Sequence, residues 1–456
     1  IEFAVKDMAS YDDSGVTGNK SCYVLEAGDY AIYVGNSVRN VKEVLTYNVE
    51  ELVLTEQLSE VCCPNDENLT ILKPGKQKAD GTFEKEYIPS QKPTVDMVKR
   101  IEDNLPKTME LTGDKGITLQ DVYEGKNTIE DFVAQLSVEE LAQIVRGEGM
   151  SNPRVTQGTA SAFGGISDAL FNYGIPAACC ADGPSGLRYD GKATQLPIGT
   201  ALSASWNAPL VRELYTMEGE ELRANQVDTL LGPGVNIHRH PLNGRNFEYY
   251  SEDPYLSATM SVASTGGIKD GGTWGTIKHF ALNGQESHRF KVDAVCSERA
   301  IREIYLKSFE MAVKEGTVMT LMTSYNPING HWAASNYDLC TTVLRGEWGY
   351  KGIVMTDWWA KINEEGEPGS GRQTIPMVRA QNDIYMVVAD AASNSAGDNT
   401  AEGLADGRLT RAQLTRNAAN ICGFLLRSVA MERFLDREEE ECTELHNPIS
   451  TEGAGD

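Results

Sequence analysis

Five short apolar runs in this chain each end in charged or hydrogen-bonding residues. In chain order, the run ends carry Asp182-Gly183-Pro184, Gly232-Pro233-Gly234 with Arg245 beyond it, Lys278-His279-Phe280, Ser324-Tyr325-Asn326 and Asp357-Trp358-Trp359. A single residue of this kind after a strand is commonly a turn former or a helix cap. Five in series predict a site, because the carboxyl ends of barrel strands lie on one face.

The side chains at the run ends share one chemistry. Donors and acceptors suited to sugar hydroxyls come from Asp182, Asp357, Arg245, Lys278 and His279. Trp358 and Trp359 offer flat apolar faces for the C–H side of a pyranose. A carboxylate beside cations is expected to have a depressed pKa and to stay ionised, as a nucleophile requires. The set favours a retaining glycosidase, in which a second carboxyl group ~5–5.5 Å from the nucleophile protonates the leaving group.

The elements that position these residues follow from periodicity. Predicted helices cover 128–147, 208–226, 297–316 and 410–429, and the apolar runs between them cover 177–181, 229–231, 275–277, 320–323 and 352–356. Alternation of helix and short buried strand is typical of a parallel sheet with helical crossovers. The interval 125–435 therefore predicts an α/β fold, a (β/α)₈ barrel with insertions.

The rest of the 456-residue chain shows other sequence patterns. Residues 1–57 alternate like β-strands, but three or four strands are too few to close a sandwich, so we expect a partial antiparallel β module. Residues 58–124 are rich in Lys, Glu, Pro and Gly and predict a linker or arm. Residues 436–456 predict an acidic, solvated tail.

Composition excludes several classes of partner. The chain has 41 Lys and Arg against 66 Asp and Glu, a net charge of −25. We therefore expect neither nucleic acid nor a membrane as partner. The sequence shows no secretory signal, which predicts a cytoplasmic protein, although the absence of an initial Met leads us to expect a natural start upstream. Nine Cys, two adjacent pairs and no CxxC argue against a disulfide framework and a zinc ribbon.

The chain from about 125 to 435 resembles the catalytic barrel of family 3 glycoside hydrolases, the β-glucosidase family. The resemblance rests on ordered blocks that include 181–188 (ADGPSGLR), 231–236 (LGPGVN), 244–248 (GRNFE), 278–280 (KHF), 322–326 (MTSYN) and 354–358 (VMTDW). It implies that Asp357 is the nucleophile and that no cofactor is needed. The residues that it implies for binding a glucose-like ring are Asp182, Arg188, Arg245, Lys278, His279, Met322, Tyr325 and Trp358.

The first 57 residues resemble the end of a fibronectin-III-like module, which here precedes the barrel as in the domain-swapped branch of the family. In that family the acid/base Glu lies on an α/β-sandwich domain, and this sequence shows no such domain. The resemblance therefore implies a β-glucoside or oligosaccharide substrate and an acid/base supplied by a missing sandwich domain or a companion chain. A homo-oligomer is a further possible assembly.

Several alternatives stay open at this point. Glu248, Glu252 and Glu286 are candidates for the missing acid, although loop salt bridges are the preferred interpretation. Within the family, a β-xylosidase or a β-N-acetylglucosaminidase is an alternative, but residues 286–288 (ESH) do not match the catalytic loop of the latter. Among other protein classes, His238-Arg239-His240 fits a zinc-dependent amidohydrolase. A site without its acid/base residue also fits a non-catalytic glycan-binding protein.

Overall fold

The computed structural model of the chain describes residues 2–150 and 152–436. The chain divides into two compact units, Ile1–Val95 with Val295–Glu303, and Asp96–Ala294 with Ile304–Asp456. The chain passes from the first unit to the second after Val95, so the boundary differs from the predicted limits of 57 and 124. The tail predicted for 436–456 lies, beyond Asp436, outside the described residues.

The first unit is built of short antiparallel strands. They are β1 (Ser10–Asp12), β2 (Cys22–Leu25), β3 (Gly28–Ser37), β4 (Asn40–Val49), β5 (Val53–Gln57), β6 (Thr70–Gln77) and β7 (Phe83–Pro89). A sheet has the order β1-β2-β5, and β3-β4 and β6-β7 are separate pairs. The last pair lies where a linker was predicted. Its side chains are mostly exposed, so no buried face imposes the alternation that marks a strand.

Residues 295–303 return to the first unit and are held there by Glu298. This buried carboxylate accepts hydrogen bonds from Tyr11 Oη (2.6 Å), Val61 N (3.0 Å) and Arg302 Nε (2.9 Å). Burial raises the pKa of Glu298 to about 7, against the opposing effect of Arg302. Glu298 therefore joins three separate stretches of sequence into one unit.

The second unit contains a nearly closed eight-stranded sheet, consistent with an α/β barrel. Its strands are β8 (Arg146–Glu148), β9 (Ser161–Gly164), β10 (Ala177–Asp182), β11 (Thr229–Leu231), β12 (Trp274–Phe280), β13 (Thr320–Thr323), β16 (Ile353–Met355) and β17 (Tyr385–Val388). A small hairpin, β14 (Pro327–Ile328) and β15 (His331–Trp332), lies beside it. The order is β16-β13-β12-β11-β10-β9-β8-β17, and a parallel bridge between Met355 and Ile384 links the two ends.

The sheet is mixed, which corrects the expectation of eight parallel strands. β9 runs antiparallel to both β8 and β10, whereas β10, β11, β12, β13 and β16 are parallel in series. The segment between β8 and β9 contains no helix in its described residues. A parallel return needs a crossover of about a dozen residues or more, usually helical, so the strand comes back antiparallel.

The α-helices of the described residues are α1 (Met97–Asp103), α2 (Leu119–Tyr123), α3 (Ile129–Gln135), α4 (Val138–Ile144), α5 (Asp168–Asn172), α6 (Gly199–Ala204), α7 (Ala208–Ala224), α8 (Pro254–Asp270), α9 (Glu298–Ala300), α10 (Lys307–Lys314), α11 (Thr374–Arg379), α12 (Thr400–Asp406), α13 (Arg411–Leu425) and α14 (Val429–Asp436). Of these, α9 belongs to the first unit and the others belong to the second. Two π-helical stretches cover Ile301–Tyr305 and Asp338–Glu347, and 3₁₀ turns cover Val5–Met8 and Ala333–Ser335. In the described part of the chain, none of these helices has the length and apolarity needed to cross a bilayer.

The helices agree in part with the predicted ones. α7 and α13 match the predictions for 208–226 and 410–429, whereas 128–147 is split into α3 and α4 by Ser137, which caps α4 together with Glu140. α8 has no clear apolar stripe, because its buried face consists largely of Ser, Thr, Ala and Gly. Those small residues let it pack closely against α7. A Cβ added at Gly267 would lie 2.3 Å from the Arg212 carbonyl oxygen.

Candidate active site

A pocket of about 670 Å³ in the second unit brings all nine predicted site residues together. They are Asp182, Arg188, Arg245, Lys278, His279, Met322, Tyr325, Asp357 and Trp358. Asp182 ends β10, Lys278 and His279 lie near the end of β12, and Asp357 comes two residues after β16. These strands run parallel in one sheet, so their carboxyl ends deliver the side chains to one face.

On one side of the pocket, Asp182 is ion-paired with two basic side chains. Its Oδ1 lies 3.2 Å from Lys278 Nζ, and its Oδ2 accepts from Arg188 Nη1 at 2.9 Å. Burial alone would raise the pKa of Asp182, but Lys278 and Arg188 outweigh it and lower the pKa. Asp182 is therefore an ionised acceptor held between two donors, an arrangement that suits a ligand hydroxyl.

Asp357 lies deeper and is only 7 % exposed. Its Oδ1 accepts from Trp358 N at 2.7 Å, and its Oδ2 lies 3.6 Å from His279 Nε2. Among the residues that the structure describes, none forms a hydrogen bond of normal geometry with Oδ2. Tyr325 Oη, which donates to the Trp358 carbonyl at 3.0 Å, is nearby.

The pKa of Asp357 corrects an expectation. Burial raises the pKa of this carboxyl, and the opposing effects of Tyr325, Arg245 and Lys278 do not cancel the rise. The depressed pKa expected for a carboxylate beside cations is thus found at Asp182 and not at Asp357. The two pKa shifts differ because Asp357 is more deeply buried than Asp182, and the desolvation cost of a charged group grows with burial.

His279 is buried between Asp357 and a polar wall. Its backbone is held by Asn236, whose Oδ1 accepts from His279 N (2.8 Å) and whose Nδ2 donates to the His279 carbonyl (2.9 Å). Burial lowers the pKa of His279 well below its ordinary value, and the charges of Arg245 and Lys278 add to this effect. The imidazole is therefore neutral at physiological pH and offers one donor and one acceptor.

The three glutamates considered as the missing acid either are ion-paired with arginines or lie in a different cleft. Glu248 is ion-paired with Arg245, whose Nε donates to Glu248 Oε1 at 2.5 Å. Glu286 lies 2.9 Å from Arg289 and 3.7 Å from Arg245. Glu252 lines a different cleft. The ion pairs of Glu248 and Glu286 agree with the preferred interpretation of loop salt bridges.

Two predictions for individual side chains are corrected or weakened. Trp359, offered as a second aromatic face, does not line the pocket and is 63 % exposed, because its backbone turns with a φ of +55°. His238, from the motif of the zinc alternative, lines the other cleft. No group of three His, Cys, Asp or Glu within 2–150 and 152–436 is placed to hold a metal.

The pocket also contains residues that were not predicted to bind the sugar ring. They include Phe247, Glu248, Arg289 and the loop residues at 183–187 and 193–195. The guanidinium of Arg289 lies 4.5 Å from the ring centre of Tyr325. Because these residues lie in loops, no apolar run marks their position. The blocks at 181–188 and 244–248 contain some of them, whereas residues 193–195 lie in none of the family blocks.

Comparison with protein families gives one model match. The model described as Glycosyl hydrolase family 3 N terminal domain matches residues 111–423. Two curated relatives are a beta-glucosidase of Ruminococcus albus and beta-glucosidase A of Butyrivibrio fibrisolvens. The first is 50% identical over 460 residues, covering 100% of this chain and 48% of the relative. The second is 36% identical over 386 residues, covering 79% of this chain and 44% of the relative.

A solved structure also matches. It is a beta-glucosidase from Paenibacillus barengoltzii, with a TM-score of 0.91 and 60% sequence identity. The match covers 93% of this chain and 47% of the other. The chain thus spans about half the length of the proteins it matches.

Proposed function

The chain belongs to glycosyl hydrolase family 3, and from this premise we propose that it carries the nucleophile part of a retaining, exo-acting β-glucosidase. The observation that supports the proposal most directly is the convergence of Asp357, His279, Lys278 and Asp182 in one pocket. The named relatives, which are beta-glucosidases, support a β-D-glucoside as the substrate.

In the proposed mechanism, an oxygen of Asp357 attacks the anomeric carbon of the terminal glucosyl residue. The new C–O bond forms as the glycosidic C–O bond breaks, and the departing oxygen takes up a proton from an acid. Water, deprotonated by the same group, then releases the sugar with net retention. Asp357 must be ionised to attack, and the charges of Arg245 and Lys278 oppose the effect of burial on its pKa.

The remaining pocket residues are proposed to bind the sugar ring. Asp182 accepts from ring hydroxyls while Lys278, His279 and Arg245 donate to them. Arg188, whose side chain is 74 % exposed, reaches a hydroxyl from the rim. Met322, Tyr325 and Trp358 supply the apolar walls. Exo action is proposed because these residues account for the binding of one terminal ring.

The acid/base is proposed to lie outside this chain. The carboxylates that line the pocket in the described residues are Asp182, Glu248 and Asp357. The first two are ion-paired with cations and the third is assigned as nucleophile. An α/β-sandwich domain or a companion chain would supply the second carboxyl group, and residues 1–57 would be part of a fibronectin-III-like module beside it.

Trapping of the covalent intermediate tests the proposal. The chain is incubated with 2,4-dinitrophenyl 2-deoxy-2-fluoro-β-D-glucoside, whose leaving group needs little protonation, and the peptides are mapped by mass spectrometry. We expect one fluoroglucosyl group, on the peptide that contains Asp357, and none in Asp357→Asn. Labelling of another residue, or of Asp357→Asn at the same rate, would refute the assignment. Parallel incubation with the 2-fluoro xyloside tests the β-xylosidase alternative.

A further inference from the structure

A series of hydrogen-bonded side chains runs behind the pocket and ends at His279. Arg289 Nη1 donates to Glu286 Oε2 at 2.9 Å. Glu286 Oε1 accepts from Asn283 Nδ2 at 2.9 Å, and the same nitrogen donates to Tyr249 Oη at 2.9 Å. Tyr249 Oη lies 3.1 Å from His279 Nδ1. Tyr249 and Asn283 are both buried, so water does not compete for these bonds.

The carboxylate of Glu286 fixes the direction of each hydrogen bond between it and His279. A carboxylate only accepts hydrogen bonds, so the Asn283 atom that faces Glu286 is the amide nitrogen. Because this nitrogen also faces Tyr249, the tyrosine oxygen accepts from it, and the tyrosine proton points to His279 Nδ1. Buried hydroxyl protons are rarely left without an acceptor. Nδ1 is therefore an acceptor, and the imidazole proton lies on Nε2.

The other tautomer fits the surroundings less well. A proton on Nδ1 would have only a long contact of 3.4 Å with Asn236 Oδ1, and it would leave the Tyr249 hydroxyl without an acceptor. It would also turn the Nε2 lone pair toward Asp357 Oδ2, only 3.6 Å away. Two lone pairs at that distance repel, whereas an Nε2 proton is attracted to the carboxylate.

We propose that Tyr249 and Asn283 are positioning residues that hold His279 as its Nε2–H tautomer and so present an N–H to Asp357 and to a sugar hydroxyl. The proposal rests on the proposed function for its role in catalysis, but the tautomer itself is a property of the protein alone. Neither residue lines the pocket, so both act through His279.

The test compares Tyr249→Phe with Tyr250→Phe. Both tyrosines are fully buried and adjacent in sequence, but Tyr250 Oη bonds Ser264 and does not touch the site. Side-chain nitrogens are read from ¹H–¹⁵N correlation spectra of the full chain labelled with ¹⁵N-histidine, and His279→Gln identifies the signals of His279. We expect the Nε2–H pattern in the wild type and Tyr250→Phe, and a rise of the Nδ1–H tautomer in Tyr249→Phe.

The second measurement is the effect of Tyr249→Phe on kcat/KM and on its pH profile. With 2,4-dinitrophenyl β-glucoside, kcat/KM of Tyr249→Phe is expected to fall about tenfold, the worth of one hydrogen bond. The acid limb of its pH profile should move to higher pH, because Nδ1 without a donor is more basic. The groups that face the imidazole besides Tyr249 are Asp357, Arg245, Lys278 and Arg289, and these are unchanged.

The outcomes separate the inference from the proposed function. An unchanged ¹⁵N pattern and pH profile in Tyr249→Phe would overturn the inference. A tautomer shift in Tyr249→Phe, combined with a wild-type chain that does not turn over 2,4-dinitrophenyl β-glucoside, would support the tautomer and refute the proposed function. Thermal melting checks that each variant is folded. If Tyr249→Phe does not fold, Asn283→Ala removes the bond that orients the tyrosine, and the same tautomer shift is expected.

Discussion

At the residue scale, the ionisation of Asp357 depends on a balance between burial and neighbouring charge. Burial raises the pKa of the carboxyl, and Arg245 and Lys278 are the cations that oppose the rise. Arg245 is itself buried against Glu248. A cation that opposes protonation of the proposed nucleophile is thus held in place by a third residue.

Arg245→Gln tests this balance. Loss of the guanidinium removes stabilisation of the Asp357 carboxylate, so the pKa of the carboxyl rises further. The ionised fraction at a given acidic pH falls, and the acid limb of kcat/KM moves to higher pH. The measurement is the pH profile on 2,4-dinitrophenyl β-glucoside. Arg212→Gln, which removes an exposed arginine paired with Asp270, is the matched control and should leave the limb in place.

Residues at strand ends were predictable from the strand pattern, whereas loop residues such as Arg188 were predicted only from the family motifs. Asp182, Lys278 and Asp357 follow buried apolar runs, so their location on one face follows from the parallel sheet. Tyr249 and Asn283 lie in segments without regular structure, and their roles depend on contacts between loops. Trp359 also follows a predicted strand but does not line the pocket, because the turn after Asp357 directs only Trp358 into it.

At the element scale, the predicted strands with buried apolar runs are present. Of the missed strands, β8 and β9 lack such a run, whereas β17 (Tyr385–Val388) is a buried apolar run that was overlooked. β10, β11, β12, β13 and β16 all fall on predicted runs. β8 contains Arg and Glu, and β9 contains Ser, Ala and Gly beside one large apolar residue, Phe163, so neither has a strand pattern. α8 was missed for the related reason that its buried face consists largely of Ser, Thr, Ala and Gly.

The close packing of α7 and α8 gives a prediction for Gly267→Ala. The new methyl group would lie 2.3 Å from the Arg212 carbonyl and 2.8 Å from Tyr215 Cβ. Backbone atoms cannot rotate away, so the helices must separate. We expect a loss of about 1–3 kcal/mol in the free energy of unfolding, measured by urea denaturation.

The control for this substitution is Gly423→Ala in α13. Its nearest neighbour would be Ile129 Cδ1 at 3.7 Å, an ordinary contact. Because alanine favours a helix over glycine, Gly423→Ala should stabilise the protein by about 0.5–1 kcal/mol. Equal effects of the two substitutions would contradict the packing argument.

At the scale of the whole molecule, the chain spans about half the length of its relatives. Among the described residues that line its pocket, Asp357 is the one carboxylate that is not ion-paired with a Lys or Arg. General acid–base catalysis contributes about 10²–10⁴ in rate. We therefore expect low turnover of cellobiose by the 456-residue chain and higher turnover of 2,4-dinitrophenyl β-glucoside, whose departure needs little protonation. Added azide should increase the latter by replacing base-activated water.

The measurement is kcat on both substrates, for this chain and for a protein that also contains the proposed sandwich domain. The longer protein should gain on cellobiose far more than on the dinitrophenyl glucoside. Equal rates on cellobiose would place the acid within this chain, and Glu248, Glu252 and Glu286 would then be substituted in turn.

The return of residues 295–303 to the first unit has a consequence for protein synthesis. A ribosome completes residues 1–95 long before it reaches Glu298, and the whole interval 96–294 emerges in between. Until then the Tyr11 hydroxyl and the Val61 amide lack the carboxylate that they bind in the finished protein. The first unit therefore cannot complete these contacts until the interval 96–294 has been translated, so the position of Glu298 in the sequence sets when the unit is completed.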